Sequence, residues 1–142
     1  MNLNEEKCRV FAWFSFLLGI STGLLMGLWS FDGPFPAPDW LGEYEDVSRR
    51  LVRLGHIAYF GLGFITLMLA WELPKLKLSE QEKTLATNAM IFGNMVLPLT
   101  LFAAGIYHPL KYLMPIPALS VFLVMILAAK GAYLRYTSLV ND

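Results

Sequence analysis

Apolar residues in this chain fall into four long runs, which short polar segments separate. The runs cover residues 10–29, 54–73, 85–107 and 113–134. A helix that crosses ~30 Å of hydrocarbon at ~1.5 Å per residue needs about 20 residues, and each run has that length. The pattern predicts an all-α integral membrane protein with four transmembrane helices in an up-down bundle, at approximately residues 8–30, 46–73, 80–107 and 112–136.

The length and composition of the chain limit what else it can contain. Little sequence lies outside the four runs, so residues 1–142 are expected to form a single domain. Only 15% of the residues are charged, and most of these lie between the runs or near their ends. The formal net charge is zero, so no basic field favours nucleic acid as a partner. The one cysteine, Cys8, cannot form an internal disulfide.

The positions of lysine and arginine predict the orientation, because cytoplasmic loops of membrane proteins are enriched in both. With the N-terminus inside, more of these residues fall on the inner side than on the outer side. The inner side then contains Lys7, Arg9, Lys75, Lys77, Lys83, Lys130 and Arg135, and the outer side contains Arg49, Arg50, Arg53 and Lys111. The bias predicts a multi-pass protein of the bacterial inner membrane with both termini in the cytoplasm.

The first predicted helix has a face of small residues. Gly19, Gly23 and Gly27 recur every four residues and therefore lie along one side of the helix. Lipid does not drive helices together by the hydrophobic effect, so close contact across small residues takes that role. The face is predicted to be either a seam inside the bundle or a site of self-association or of contact with other integral membrane subunits. Asn94 is also predicted to pack against a helix, since an unpaired amide in hydrocarbon is costly.

The outer end of the second predicted helix contains the candidate cofactor site. Arg49, Arg53 and His56 share one helix face, which Phe60 and Gly63 continue inward. This order suits a haem b held edge-on to the membrane. His56 would ligate the iron, the two arginines would pair with the propionates, and Gly63 would leave room for the ring. The alternatives for His56 are a (bacterio)chlorophyll ligand and a hydrogen-bonded interface residue with no cofactor.

The second histidine, His108, is not predicted to be the other axial ligand. Counting the helix rise from the shared inner turn places it ~16 Å further out than His56, which is too far for two ligands of one iron. Methionines at a depth comparable to His56 are the candidates within the chain: Met95 on the third helix, Met26 on the first and Met114 before the fourth. A ligand from another chain is equally allowed.

The sequence contains no motif of a known enzyme class, and no series of carboxylates crosses the apolar runs. We therefore expect a small integral membrane subunit of a larger respiratory or photosynthetic electron-transfer assembly, with one haem b at the outer face. The first alternative is a self-contained oligomeric small transporter or channel. The second is a membrane enzyme that acts on a quinone or lipid. Catalytic activity stays open, and a non-catalytic or electron-transfer role is favoured.

Overall fold

Four long helices account for most of the structure. The computed structural model describes residues 3–30 and 33–141. The helices are α1 (Leu3–Gly27), α2 (Val47–Glu72), α3 (Glu80–Ile106) and α4 (Pro115–Asn141). Two 3-10 helices, Asp39–Leu41 and His108–Leu113, lie in the connections between them. The described part of the chain is all-helical, and four of its helices are long and apolar enough to cross a membrane.

The helix boundaries follow from local signals and from packing. At the start of α3, Ser79 and Glu82 form a capping box: the Ser79 amide donates to Glu82 Oε2 at 2.9 Å, and the Glu82 amide donates to Ser79 Oγ at 3.3 Å. Helix α1 begins earlier than residue 8 because its first turns pack on α3. There Asn4 Nδ2 donates to Thr84 Oγ1 at 3.2 Å, and Cys8 is fully buried. Helix α4 continues five residues beyond the predicted residue 136, to Asn141.

Consecutive helices run antiparallel, as the contacts between them establish. The end of the bundle at the α2–α3 connection is called the inner end here, and the opposite end is the outer end. Residues in contact across the helices include Gly19 with Phe60, Gly23 with His56, Asn94 with Thr66, His108 with Ser48, and Lys130 with Glu82. Within the described residues, α4 packs mainly against α3 and makes little contact with α1. The bundle is therefore open on one side of α3.

The apolar core lies towards the inner end, and all four helices contribute to it. Its members include Cys8, Leu69, Leu73, Met90 and Val124. The α2–α3 connection closes this end over α4, where the Lys77 amide donates to the Gly131 carbonyl at 3.2 Å. A Cβ on Gly131 would lie 2.8 Å from Leu78 Cγ, so the close approach of the connection to α4 requires a glycine at this position.

A hydrogen-bond network joins three helices in the middle of the bundle. The Ser15 hydroxyl of α1 donates to Asn94 Oδ1 at 2.8 Å and has the Tyr59 carbonyl, at 2.7 Å, as its alternative acceptor. Asn94 Nδ2 donates to Thr66 Oγ1 at 3.0 Å, and the Thr66 hydroxyl donates to the Leu62 carbonyl at 2.7 Å. Ser15, Asn94 and Thr66 are all fully buried. The amide of Asn94 therefore bonds to both α1 and α2.

Large apolar side chains cover the outside of α1 and α4. Trp13 and Leu24 are 65% and 71% exposed, and Phe122 on α4 is 61% exposed. Monomeric soluble proteins rarely expose contiguous apolar surface of this extent. The surface is consistent with a multi-pass membrane protein, in which lipid covers these side chains.

Candidate ligand cavity at the outer end

A cavity of about 800 Å³ lies at the outer end, between α1, α2 and the connection that joins them. Its apolar lining comes from every one of these segments, and its charged and ionisable lining comes from α2. The main lining residues are Gly23, Met26, Gly27 and Trp29 on the α1 side, Phe35, Leu41 and Tyr44 in the connection, and Arg49, Val52, Arg53, His56 and Ile57 on α2. The arrangement provides a polar mouth above an apolar interior.

The α1–α2 connection folds back over the end of α1 and so forms one wall of the cavity. The Phe35 amide donates to the Leu28 carbonyl at 2.9 Å. A Cβ on Gly33 would come within 2.6 Å of the Gly27 carbonyl oxygen, so only glycine allows this approach. Gly42 has φ +66° and ψ −163°, a conformation that is strained for other residues. These two glycines let the connection reach the start of α2.

Two guanidinium groups stand at the mouth of the cavity on either side of Tyr44. The Arg53 guanidinium carbon lies 4.0 Å from the centroid of the Tyr44 ring, and that of Arg49 lies 5.8 Å from it. Arg53 Nη2 also donates to the Tyr44 carbonyl at 3.1 Å. No carboxylate of residues 3–30 or 33–141 forms an ion pair with Arg49 or Arg53, whereas the neighbouring Arg50 pairs with Glu45. The mouth therefore carries positive charge that an anionic group could neutralise.

The His56 ring lies beneath these arginines and is oriented by α1. Its Nδ1 lies 3.2 Å from Thr22 Oγ1. The Thr22 hydroxyl donates to a carbonyl of its own helix, Leu18 O at 2.8 Å or Gly19 O at 3.0 Å, so Nδ1 of His56 must be the donor in the contact between the two side chains. In the neutral imidazole this bond leaves Nε2 unprotonated. Nε2 then has a free lone pair for a metal or a proton donor.

The structure brings some of the predicted site residues together and separates others. Arg49, Arg53 and His56 line the cavity, and so does Met26. Gly63 lies deeper and faces α1, where a Cβ would be 2.8 Å from Phe16 Cε1. Met95 and Met114, each half-buried, are not among the residues that line the cavity.

His108 lies apart from His56. Its Nε2 is 3.0 Å from Ser48 Oγ, in the first turn of α2. Ser48 precedes His56 by two helical turns, so this contact lies roughly 12 Å further out. The exposed His108 side chain therefore joins the α3–α4 connection to α2 and is remote from the cavity.

Sequence reasoning did not identify Thr22 or Tyr44 as parts of the site. Thr22 directly precedes Gly23, but its contact with His56 depends on the register between α1 and α2. Tyr44 lies in a polar segment before α2, and only the fold of the connection brings its ring onto the two arginines. Neither residue has a sequence signal that indicates its partner.

Comparison of the chain with models of protein families, with curated proteins and with solved structures finds no match. The fold and the cavity define an all-helical protein with four helices able to cross a membrane and one amphipathic pocket between the outer ends of the first two.

Proposed function

We propose that this chain is a small integral membrane subunit of an electron-transfer assembly and that its outer-end cavity holds one haem b. The observation that carries the proposal is the meeting, in one cavity, of an imidazole with a free Nε2 and two guanidiniums that have no carboxylate partner among the described residues. A haem b presents the matching groups: an iron that takes imidazole, two anionic propionates and a flat apolar ring.

The contacts of His56 support its role as the iron ligand. Histidines that bind a metal usually donate their second ring N–H to a protein acceptor, which fixes the orientation of the ring. The Nδ1 contact with Thr22 has this form. Met26 is the candidate for the second axial position within the chain, because its side chain lines the same cavity. A ligand from a neighbouring subunit is the alternative.

The proposed location is the bacterial inner membrane, with both termini in the cytoplasm and the cavity near the outer surface. The bias in lysine and arginine supports this orientation. The exposed apolar side chains of α1 and α4 support direct contact with the lipid bilayer. Other integral membrane subunits would complete the assembly.

An absorption spectrum of the purified protein tests the proposal. The chain would be expressed with haem supplied, and a reduced-minus-oxidised spectrum and a pyridine haemochrome assay would be recorded. We expect the α-band of a b-type haem and a stoichiometry of one haem per chain. Protein that carries no haem, and that takes up none when haem is titrated into it, would refute the proposal.

A membrane enzyme that acts on a quinone or lipid is the second candidate, and the arginine pair favours it. Arg49 and Arg53 around Tyr44 also suit the phosphate of a lipid headgroup. Native mass spectrometry of a haem-free preparation would then reveal a retained lipid or quinone. A transporter or channel has less support, because the buried polar side chains of Ser15, Asn94 and Thr66 bond to one another.

A further inference from the structure

The exposed side of α3 carries a polar side chain at membrane depth. Asn88 is exposed, and its amide has no hydrogen-bond partner within residues 3–30 and 33–141. It lies about 8 Å deeper than Lys83, the last charged residue of α3, at ~1.5 Å of rise per residue. An amide that faces hydrocarbon without a partner is costly. Another molecule that bonds to Asn88 would remove this cost.

The same side of α3 is open along much of its length. Gln81, Thr84 and Leu85 precede Asn88 on this side, and together with Glu80 they line a shallow groove. Further out, Phe92 and Leu99 are 42% and 56% exposed. The openness follows from the fold, because the two flanking helices α1 and α4 make little contact with each other. We call this strip of α3, from Gln81 to Leu99, the Asn88 face.

The small-residue face of α1, by contrast, is occupied within the chain. Phe60 lies over Gly19, and His56 lies over Gly23. A second copy that entered this groove would displace both side chains of α2. Self-association through the glycine face stays a prediction, but the Asn88 face is available with the fold as it stands.

We propose that the Asn88 face binds a second copy of this chain, with the two Asn88 amides paired across a two-fold axis parallel to the membrane normal. Two copies inserted in the same direction place Asn88 at the same depth. A carboxamide both donates and accepts, so an identical group across a two-fold axis satisfies it reciprocally. A different partner would need its own polar group at this depth. The proposal does not depend on the presence of haem.

Cross-linking in native membranes tests the contact. Leu85→Cys, one turn from Asn88 on the same face, would be introduced into a Cys8→Ala background. A short bis-maleimide is expected to give a product with twice the mass of the chain. Met68→Cys is the matched control, because Met68 is 64% exposed on α2 at a similar distance from the inner end. It is expected to give little product.

Replacement of Asn88 tests the role of the amide. Asn88→Leu, added to Leu85→Cys, should lower the cross-linked fraction by about threefold or more, which is what the loss of one interhelical polar contact predicts. Asn88→Gln should retain most of it. The proposal is overturned by the absence of a dimer-mass product, by a product of another mass, by equal cross-linking of Met68→Cys, or by an unchanged yield in folded Asn88→Leu. If Asn88→Leu does not fold, the comparison of Leu85→Cys with Met68→Cys still decides.

Discussion

The imidazole of His56 lies directly over Gly23, so that a Cβ on Gly23 would come within 2.6 Å of Cε1 of His56. The glycine face of α1 and the candidate ligand site of α2 are therefore two sides of one contact. Gly23 provides the space for the ring, and the adjacent Thr22 accepts the bond that fixes its tautomer. Packing between α1 and α2 and the orientation of the proposed iron ligand cannot be changed independently.

Gly23→Ala is expected to move the His56 ring and to break its bond with Thr22. The crowding should lower the free energy of unfolding by about 1–3 kcal/mol, as overpacking does elsewhere. The measurement is the midpoint of unfolding in detergent, together with haem content. Gly61→Ala is the control, since a Cβ on Gly61 meets no atom within 4 Å. An unchanged midpoint and haem content in Gly23→Ala would contradict this account of the contact.

Asn94→Leu is expected to destabilise the bundle by removing the hydrogen bonds to Ser15 and Thr66. Both hydroxyls keep a carbonyl acceptor, Tyr59 O and Leu62 O, so the cost should stay at about 1–3 kcal/mol. Titration with SDS measures it. Thr100→Val is the matched control, because the Thr100 hydroxyl bonds only to the Val96 carbonyl of its own helix. Equal stability of the two variants would show that the network contributes nothing to packing.

His56→Ala is expected to abolish haem binding, because it removes the only histidine that lines the cavity within the described residues. His108→Ala should retain haem, since that side chain contacts Ser48 and is remote from the cavity. The haem content of the two purified variants gives the answer. Retention of haem in His56→Ala with loss in His108→Ala would mean that the ligand has been assigned to the wrong helix end.

Arg53→Ala should leave haem bound but lower its reduction potential. A positive charge near the propionates favours the reduced form, so its removal favours the oxidised one. A redox titration measures the shift. Arg50→Ala serves as the control, because Arg50 pairs with Glu45 and does not line the cavity. A similar shift in both variants would attribute the effect to surface charge rather than to a contact with the cofactor.

The orientation is tested by labelling single cysteines in a Cys8→Ala background. Asp39→Cys, at an exposed position in the α1–α2 connection, should react with a membrane-impermeant maleimide in intact cells. Lys75→Cys, in the α2–α3 connection, should react only after the cells are permeabilised. The reverse pattern would place the termini and the cavity on the opposite sides of the membrane.

The sequence by itself determined the helices of this protein and where most of them end. Four apolar runs of membrane length are a local property, and the Ser79–Glu82 capping box fixes the start of α3 within four residues of chain. The face that carries Gly19 and Gly23, and the stripe that carries Arg53 and His56, also follow from the period of the α-helix. Such features depend only on residues close together in the chain.

Only the tertiary structure decided which faces meet and which stay open. The register of α1 on α2 pairs Thr22 and Gly23 with His56, and the folded connection brings Tyr44 to the arginines and encloses Met26 rather than Met95. The position of α4 against α3 leaves Asn88 exposed while Asn94, on the same helix, is buried. Periodicity could not distinguish these two amides, because burial depends on packing between segments distant in sequence and not on the helix that carries them.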